Sequence, residues 1–588
     1  MKRHLIVLSF LLALIVACGG ETAVSPPLPT PSPPTDAAPT EAETAVSPTP
    51  TVVAEEETAV VASPTPFAPI CNNVPTLTES GDYPWWNDRV FYEIFVRSFY
   101  DSDGDGIGDF NGIIEKLDYL NDGDPNTSDD LGITGIWLMP ITVSPSYHGY
   151  DVVDYFNVEP DYGTKEDFQR LLEEAHKRDI KVIIDLVLNH TSVEHPWFQD
   201  AVNNPDSPYR DFYIWADSPP GYSSPWGSPV WHHSNTGFYY GVFWEGMPDL
   251  NYENPDVTTE MQKVIRFWLE DMGVDGFRLD AIKHLIEDGS IQENTPATHA
   301  WFEAFHDFYK SINPDAFTVG EAWSDTAEVV EYIGDEVDVA FEFDNANAII
   351  QSAKGERASF IENAQKKIAL AYPANQYATF ISNHDQVRLM SLLLGDFGRA
   401  KTAASLLLTE PGLPFLYYGE EVGQAGRKPD DRLRTPMQWD SSNNAGFTTA
   451  QAAWNIPQTN YASFNVADQT DDPDSLLSHY RALIQLRDRS EALQVGDWQP
   501  VRTGISSLYA FLRRTENQTL LVMINMGEEP IDNYGLCVNG GVLAEGVAQE
   551  VLWQTAVSAP TLNSNGGFDN YKPLDVLPPY TTYIIELK

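Results

Sequence analysis

The chain has 588 residues, 42% of them hydrophobic, and a formal net charge of −51 at neutral pH. That length exceeds one ordinary domain and suits a large barrel with appended modules. The acidity is spread along the chain, so it reads as solvated surface; it makes nucleic acid a poor partner and is compatible with a neutral polymer or metal cations.

Residues 1–17 read as an export signal. Lys2 and Arg3 precede a short apolar run, Leu5 to Ala17. Ile15-Val16-Ala17-Cys18-Gly19 resembles a bacterial lipobox, which implies lipid on Cys18 and a mature chain beginning there. An ordinary signal peptide with an incidental cysteine is the alternative. Residues 18–70 are Pro, Thr, Ala, Ser and Glu without Lys or Arg, and Glu-Thr-Ala-Val recurs at 21, 43 and 57. Such a segment buries too little apolar surface to offset its ordering entropy, so an extended tether is expected. Together these features predict a folded part anchored through Cys18 at the extracellular face of a bacterial envelope. No later run is long enough to span a bilayer.

From about residue 75 short β-rich runs alternate with amphipathic helical patterns. Arg89–Arg97, Ile133–Pro140, Lys181–Leu188, Val274–Asp280, Phe317–Glu321, Val337–Phe343, Gln376–Ser382 and Pro414–Tyr418 read as eight strands. Lys165–Arg178, Met261–Met272 and Leu477–Arg487 read as helices between or after them. Eight βα units predict a (β/α)8 TIM barrel over 75–190 and 261–494, ahead of a doubly wound sheet. The connection after the third strand, 191–260, is too long for a loop and reads as an inserted domain B. Beyond 495 the pattern turns to strands without helices, Leu508–Arg513, Thr519–Ile524 and Thr581–Leu587, which predicts a C-terminal antiparallel β-sandwich over 495–588. Cys71 and Cys537 can pair in an exported protein or stay as two buried thiols.

Chemistry collects where a barrel wants it, at the strand ends. After the first strand comes Asp101-Ser-Asp103-Gly-Asp105-Gly-Ile107-Gly-Asp109. Its carboxylates at positions 1, 3, 5 and 9, with a backbone carbonyl from Ile107, suit Ca²⁺; Gly112 at position 12 rules out an EF-hand. The third strand runs into Asn189-His190. The fourth delivers Arg278 and Asp280 on one face, since strand side chains alternate. An arginine beside an aspartate holds the carboxylate ionised, as a nucleophile requires, although a structural ion pair has the same form. The fifth strand ends at Glu321 and the seventh at His384-Asp385. Three carboxylates at strand ends, with two histidines, point to acid–base work on a glycoside.

Those strand ends, with Gly135–Pro140, Met247-Pro-Asp-Leu-Asn251 and Gly412–Glu421, occur in the order and spacing of the α-amylase family of glycoside hydrolases, which the chain resembles over about 83–588. The resemblance implies Asp280 as nucleophile, Glu321 as general acid/base and Asp385 as the third carboxylate, in a retaining double displacement. It implies that Arg278 orients Asp280, and that His190 and His384 hydrogen-bond the sugar in subsite −1. Tyr147-His148-Gly149-Tyr150-Asp151 would line that subsite, with Tyr150 as stacking platform and His148 and Asp151 as hydrogen-bonding groups. Lys283 and His284 would grip the next sugars, against the plainer reading of a solvated helix turn. The loop from Asp101 resembles the calcium loop of oligo-1,6-glucosidases. For a second calcium, Asn189 and His284 match two ligand positions of α-amylases, but Asn251 stands where many of them have an aspartate ligand, which weakens that site and leaves it open.

Within the family the markers diverge. The Met247 block resembles a group intermediate between oligo-1,6-glucosidases and neopullulanases that includes lipoprotein α-amylases. Lys283, His284 and His148 lean to α-amylase, whereas Arg434-Thr-Pro-Met-Gln-Trp439 and the Asp101 loop lean to oligo-1,6-glucosidases and trehalose synthases. The expected function is endo-hydrolysis of α-1,4-glucosidic bonds in starch and maltooligosaccharides, with Ca²⁺, a membrane anchor and no protein partner. An exo-acting α-glucosidase, a neopullulanase or a glucosyl-transferring isomerase is the alternative. A non-catalytic glucan-binding barrel would lack a catalytic carboxylate, and none is missing.

Overall fold

The computed structural model describes residues 71–588 apart from 76, 78–82, 541–542 and 544; the export signal, Cys18 and the tether lie outside the described residues. Eight parallel strands form one sheet: β1 (Phe91–Ile94), β2 (Gly135–Leu138), β3 (Lys181–Leu186), β4 (Gly276–Leu279), β5 (Phe317–Gly320), β6 (Val339–Ala340), β7 (Ala378–Thr379) and β8 (Leu413–Tyr417). Neighbours follow the order β6-β5-β4-β3-β2-β1-β8-β7, and a parallel bridge between Phe341 and Ala378 closes β6 onto β7. The expected (β/α)8 barrel is therefore present. Its strands are shorter than the apolar runs suggest, most of all β6 and β7, because tilted barrel strands pair with both neighbours over a few residues only.

Alternation along the strands sorts the core. Phe91, Trp137, Ile183, Phe317, Val319 and Phe415 fill the barrel, while Tyr92, Ile136, Val182, Ile184 and Phe277 pack under the helices. Burying each such side chain contributes about 1.5–3 kcal/mol. Phe91 stacks on Phe317 and Phe415 at centroid distances of 5.5 and 4.7 Å, which plugs the barrel below the site. Gly276 opens β4 where a Cβ would collide with the backbone of Phe317, so glycine lets β4 lie against β5. In that register Arg278 sits opposite Asp185 of β3 and Val319 of β5.

The long connection after β3 holds the helix Pro196–Asn203 and a three-stranded antiparallel sheet of Trp215–Ala216, Gly237–Tyr240 and Trp231–Ser234. The barrel resumes earlier than expected: a helix runs Pro255–Arg266 instead of starting at Met261, then passes into a π-helical turn, Phe267–Met272. Asn254 accepts the Asp256 N–H and Pro255 takes the first helical position, two start signals stronger than the apolar pattern that follows. The helix Lys165–His176 is fixed by a reciprocal Thr164–Asp167 capping box.

At the C-terminal end, β9 (Asp497–Pro500), β10 (Leu508–Arg514), β11 (Thr519–Asn525), β13 (Ala548–Glu550) and β15 (Thr582–Leu587) form an antiparallel sheet in the order β9-β10-β11-β15-β13. A second sheet pairs β12 (Leu536–Asn539) with β14 (Phe568–Tyr571), and Leu512, Leu521, Leu536 and Phe568 share the core between the two. The opposite face of the larger sheet, with Tyr509, Phe511 and Val522, joins the barrel core. The short strand Asn72–Asn73 extends the second sheet beside β12, and a disulfide joins Cys71 to Cys537 with their Cα atoms 5.2 Å apart. Among the described residues no helix is long and apolar enough to cross a membrane.

Candidate active site

The site is organised around one guanidinium. Arg278 is 1% exposed at the mouth of the barrel. Its Nη1 donates to both oxygens of Asp185 (2.9 and 3.0 Å) and to Oδ1 of Asp280 (2.7 Å), and its Nη2 donates to Glu321. The Asp185 contact joins register partners across β3 and β4. The other two contacts hold the carboxylates that follow β4 and β5 against the same cation. Just past Asp280 the chain turns through Ala281, at φ 47°, and the Ile282 N–H donates to the Glu321 carbonyl at 3.0 Å. A non-glycine residue in this left-handed region stores about 1–2 kcal/mol, which the packing around it must outweigh.

The third carboxylate, Asp385, follows β7 and is clamped by cations. Arg434 Nη2 donates to it at 2.7 Å, and His384 Nε2 lies 3.2 Å away. His384 is fully buried: its Nδ1 meets Glu93 of β1 at 2.6 Å and its Nε2 meets the Tyr150 hydroxyl at 2.7 Å. Tyr150 in turn donates to Asp185 at 3.0 Å. One buried network thus ties β1, β3, β4 and β7 beneath the cleft.

The charges are unequal. Burial pushes Glu321 up to about 7, with Asp280 and Asp385 adding to the shift and Arg278 opposing it. Burial also lifts Asp185 to about 6 against the pull of Arg278. Burial opposes the charge on Asp385, yet His384 and Arg434 outweigh it and hold that carboxyl well below the usual range. His384 moves the other way, up to about 10, because Asp385 and Glu93 outweigh its burial. Burial lowers His148, His190 and His284, which leaves them neutral imidazoles at pH 7.

Above this network opens a cleft of about 830 Å³. Asp280, Glu321, Asp385, His148, Tyr150 and His190 all line it, as do Lys283 and His284. Lys283 is fixed by Glu293 at 2.8 Å and by the Trp323 carbonyl at 2.9 Å; the pair lies in the short turn Ile282–His284, and the next helix begins at Pro296. Two expected sugar ligands sit differently. His384 lies under the cleft with both ring nitrogens engaged. Asp151 turns away from it, accepting from Ser144 at 2.7 Å and from Ser146. Nearby, Asn189 Nδ2 donates directly to the His284 carbonyl at 2.6 Å, so these two groups satisfy each other.

Sequence reasoning missed Asp185 and Glu93, and took Arg434 only as a family marker without placing it in the site. A charged residue within each of two buried strands was the available signal. It also missed the tryptophans Trp226, Trp244 and Trp323, each about half exposed on the cleft wall.

The loop after β1 brings three carboxylates together. Oxygens of Asp101, Asp103 and Asp109 lie within 4.8 Å of one another. Asp105 stands outside that cluster, accepting the Ile107 N–H at 2.8 Å. The oxygen-rich donor set fits a hard divalent cation, although Asp101 also accepts the N–H groups of Gly104 and Gly106 at 2.7 and 2.8 Å.

Comparison with known proteins agrees with this geometry. Residues 93–496 match the family described as alpha amylase, catalytic domain. Alpha-amylase 3 of Dictyoglomus thermophilum is 40% identical over 449 residues, covering 75% of this chain and 85% of that protein. An oligo-1,6-glucosidase of Heyndrickxia coagulans is 34% identical over 537 residues, covering 77% and 95%. The crystal structure of an α-amylase from H. orenii superposes with a TM-score of 0.74 at 40% identity, covering 85% of this chain and 99% of that one.

Proposed function

The chain belongs to the α-amylase family of glycoside hydrolases, and on that premise we propose that it is a retaining endo-hydrolase of α-1,4-glucosidic bonds in starch-like glucans and maltooligosaccharides. The observation that carries this reading is a buried, raised Glu321 sharing one guanidinium with Asp280, on the floor of a cleft walled by half-exposed tryptophans.

In this reading Glu321 starts protonated and gives its proton to the glycosidic oxygen as the bond to C1 breaks. Asp280, aimed by Arg278, attacks C1 and forms the glycosyl ester. Glu321, now a carboxylate, takes a proton from water as that water attacks C1, and Asp280 is released. Asp385 stays charged between His384 and Arg434, placed to hold sugar hydroxyls and to favour the positive ring of the transition state. Sugars present apolar C–H faces, which suits Tyr150 and the wall tryptophans, and a cleft of about 830 Å³ takes several rings rather than one.

Asp101, Asp103 and Asp109 would hold a Ca²⁺ ion, with Asp105 and Ile107 shaping the loop; the ion would supply structure at the barrel rim rather than chemistry. Lipid on Cys18 and the tether would keep the enzyme at the outer face of the cell membrane, which detergent-phase partitioning of the full chain tests. The second reading, an exo-acting or glucosyl-transferring enzyme, is favoured by the Arg434–Trp439 block and by the likeness to an oligo-1,6-glucosidase.

Product analysis on starch, pullulan, maltotriose and maltose separates the two. Maltose and maltotriose from starch are expected; glucose alone, or trehalose from maltose, would remove the endo reading. Glu321→Gln is expected to lower kcat at least ~10²-fold, within the range that general acid–base catalysis contributes, while glucan binding survives. Unchanged turnover in that variant would sink the assignment.

A further inference from the structure

The catalytic cleft does not end at its own walls. A second cavity of about 650 Å³ adjoins it, and Trp323, Asp385 and Lys428 line both. From that junction the second cavity runs over the helix Phe343–Gly355, against Phe343, Asn347 and Ile350. Its floor has the make-up of a sugar platform. The Trp323 ring stacks on Phe343 with centroids 4.9 Å apart and planes 9° from parallel, yet is 52% exposed. A large indole left this open is held flat by the ring beneath it and offers surface to a ligand. Polar groups suited to hydroxyls stand at the edge, Asp325 and Asn347, both exposed.

A linear glucan needs two directions from the scissile bond. The main cleft already holds aromatic groups from separate segments, Tyr147 after β2 and Trp226 and Trp244 from the inserted segment. The cavity over Phe343 opens beside Asp385 and Trp323, and none of Tyr147, Trp226 and Trp244 lines it. We propose that this arm receives the α-1,6-linked branch of a branched α-glucan while the main chain is cut close to the branch point. The inference rests on the endo-hydrolase reading above and adds its preferred substrate class, branched rather than purely linear glucan.

Asn347 lines the arm and not the catalytic cleft, and it is exposed on its helix. Asn347→Trp fills the arm from its far end. In the full-length enzyme, kcat/KM is measured on linear amylose and on a β-limit dextrin of glycogen, together with the smallest branched product each enzyme leaves. The ratio of branched to linear kcat/KM is expected to fall roughly tenfold in the variant, the scale at which a shaped pocket discriminates. Turnover of amylose should stay near wild type, which also reports a folded enzyme, and the smallest branched product should grow by at least one glucosyl unit. An unchanged ratio and product size would overturn the branch arm and leave the endo reading intact. Equal losses on both substrates would also overturn it, by making the arm part of the linear path. Wild-type enzyme inactive on amylose would remove the endo reading and this inference with it.

Discussion

Arg278 shows how one buried cation sets the roles of several acids. It pairs with Asp185, Asp280 and Glu321 at once, so no carboxyl has it alone. Glu321 remains raised to about 7 because burial and two neighbouring carboxylates exceed its share of that cation. A general acid must carry its proton in the free enzyme. The expected outcome is a kcat/KM that declines about tenfold per pH unit above pH ~7, as Glu321 ionises. A flat profile between pH 6 and 9, measured on maltotriose or a chromogenic maltooligosaccharide, would contradict this role for Glu321. Asp280, Glu321 and Asp385 were legible in the sequence because each follows a strand among distinctive neighbours. Glu93 was not: it meets His384 across 291 residues, and nothing local marks that contact.

The Asp101–Asp109 loop belongs to the scale of elements. It is clamped to a distant segment: Asp101 N–H donates to the Phe447 carbonyl at 3.1 Å, Thr448 donates to the Asp101 carboxylate, and Trp454 N–H donates to the Gly106 carbonyl at 2.8 Å. An ion on Asp101, Asp103 and Asp109 would therefore brace the loop after β1 together with the segment 447–454. Chelation by EDTA is expected to lower Tm by several degrees, since an ion bound to the native state alone stabilises it by mass action. Asp103→Asn, at an exposed carboxylate, should bring the calcium-loaded protein to the Tm of the chelated one. Identical melting with and without chelator would rule the ion out. The acidic spacing revealed the loop, but the clamp was illegible, because Phe447, Thr448 and Trp454 carry no pattern of their own. The helix at Pro255 shows the reverse case, where Asn254-Pro255 is a local signal that apolar periodicity overshadowed.

Across the whole molecule the buried acids set a pH dependence of stability. Burial raises Glu287, Glu336, Glu410 and Glu420 each to about 8, and Glu321 to about 7. The unfolded chain releases these protons near pH 4.5. Between pH ~4.5 and ~8 the native state therefore binds more protons than the unfolded state, so stability falls as pH rises through that window. Buried His195 and His479, lowered to about 4 and about 3, act oppositely below pH ~6.5, where the unfolded chain takes up protons that the native chain refuses. Asp385, held low, contributes stability that is lost only in stronger acid. The five raised acids outnumber the two histidines, so Tm is expected to be highest near pH ~4.5–5 and several degrees lower at pH 8.5; a scan with equal or greater Tm at pH 8.5 would refute this. By itself the sequence determined the eight-strand alternation, the insertion after the third strand, the C-terminal sheet and the three carboxylates at strand ends. Those features rest on local periodicity and on short motifs, which the order of residues records directly. The tertiary structure alone decided that Cys71 meets Cys537, that Arg278 is shared among three acids, and that the cleft has a second arm over Phe343. The reason is that burial and through-space charge depend on which segments pack together, and barrel closure sets side by side residues separated by tens to hundreds of positions along the chain.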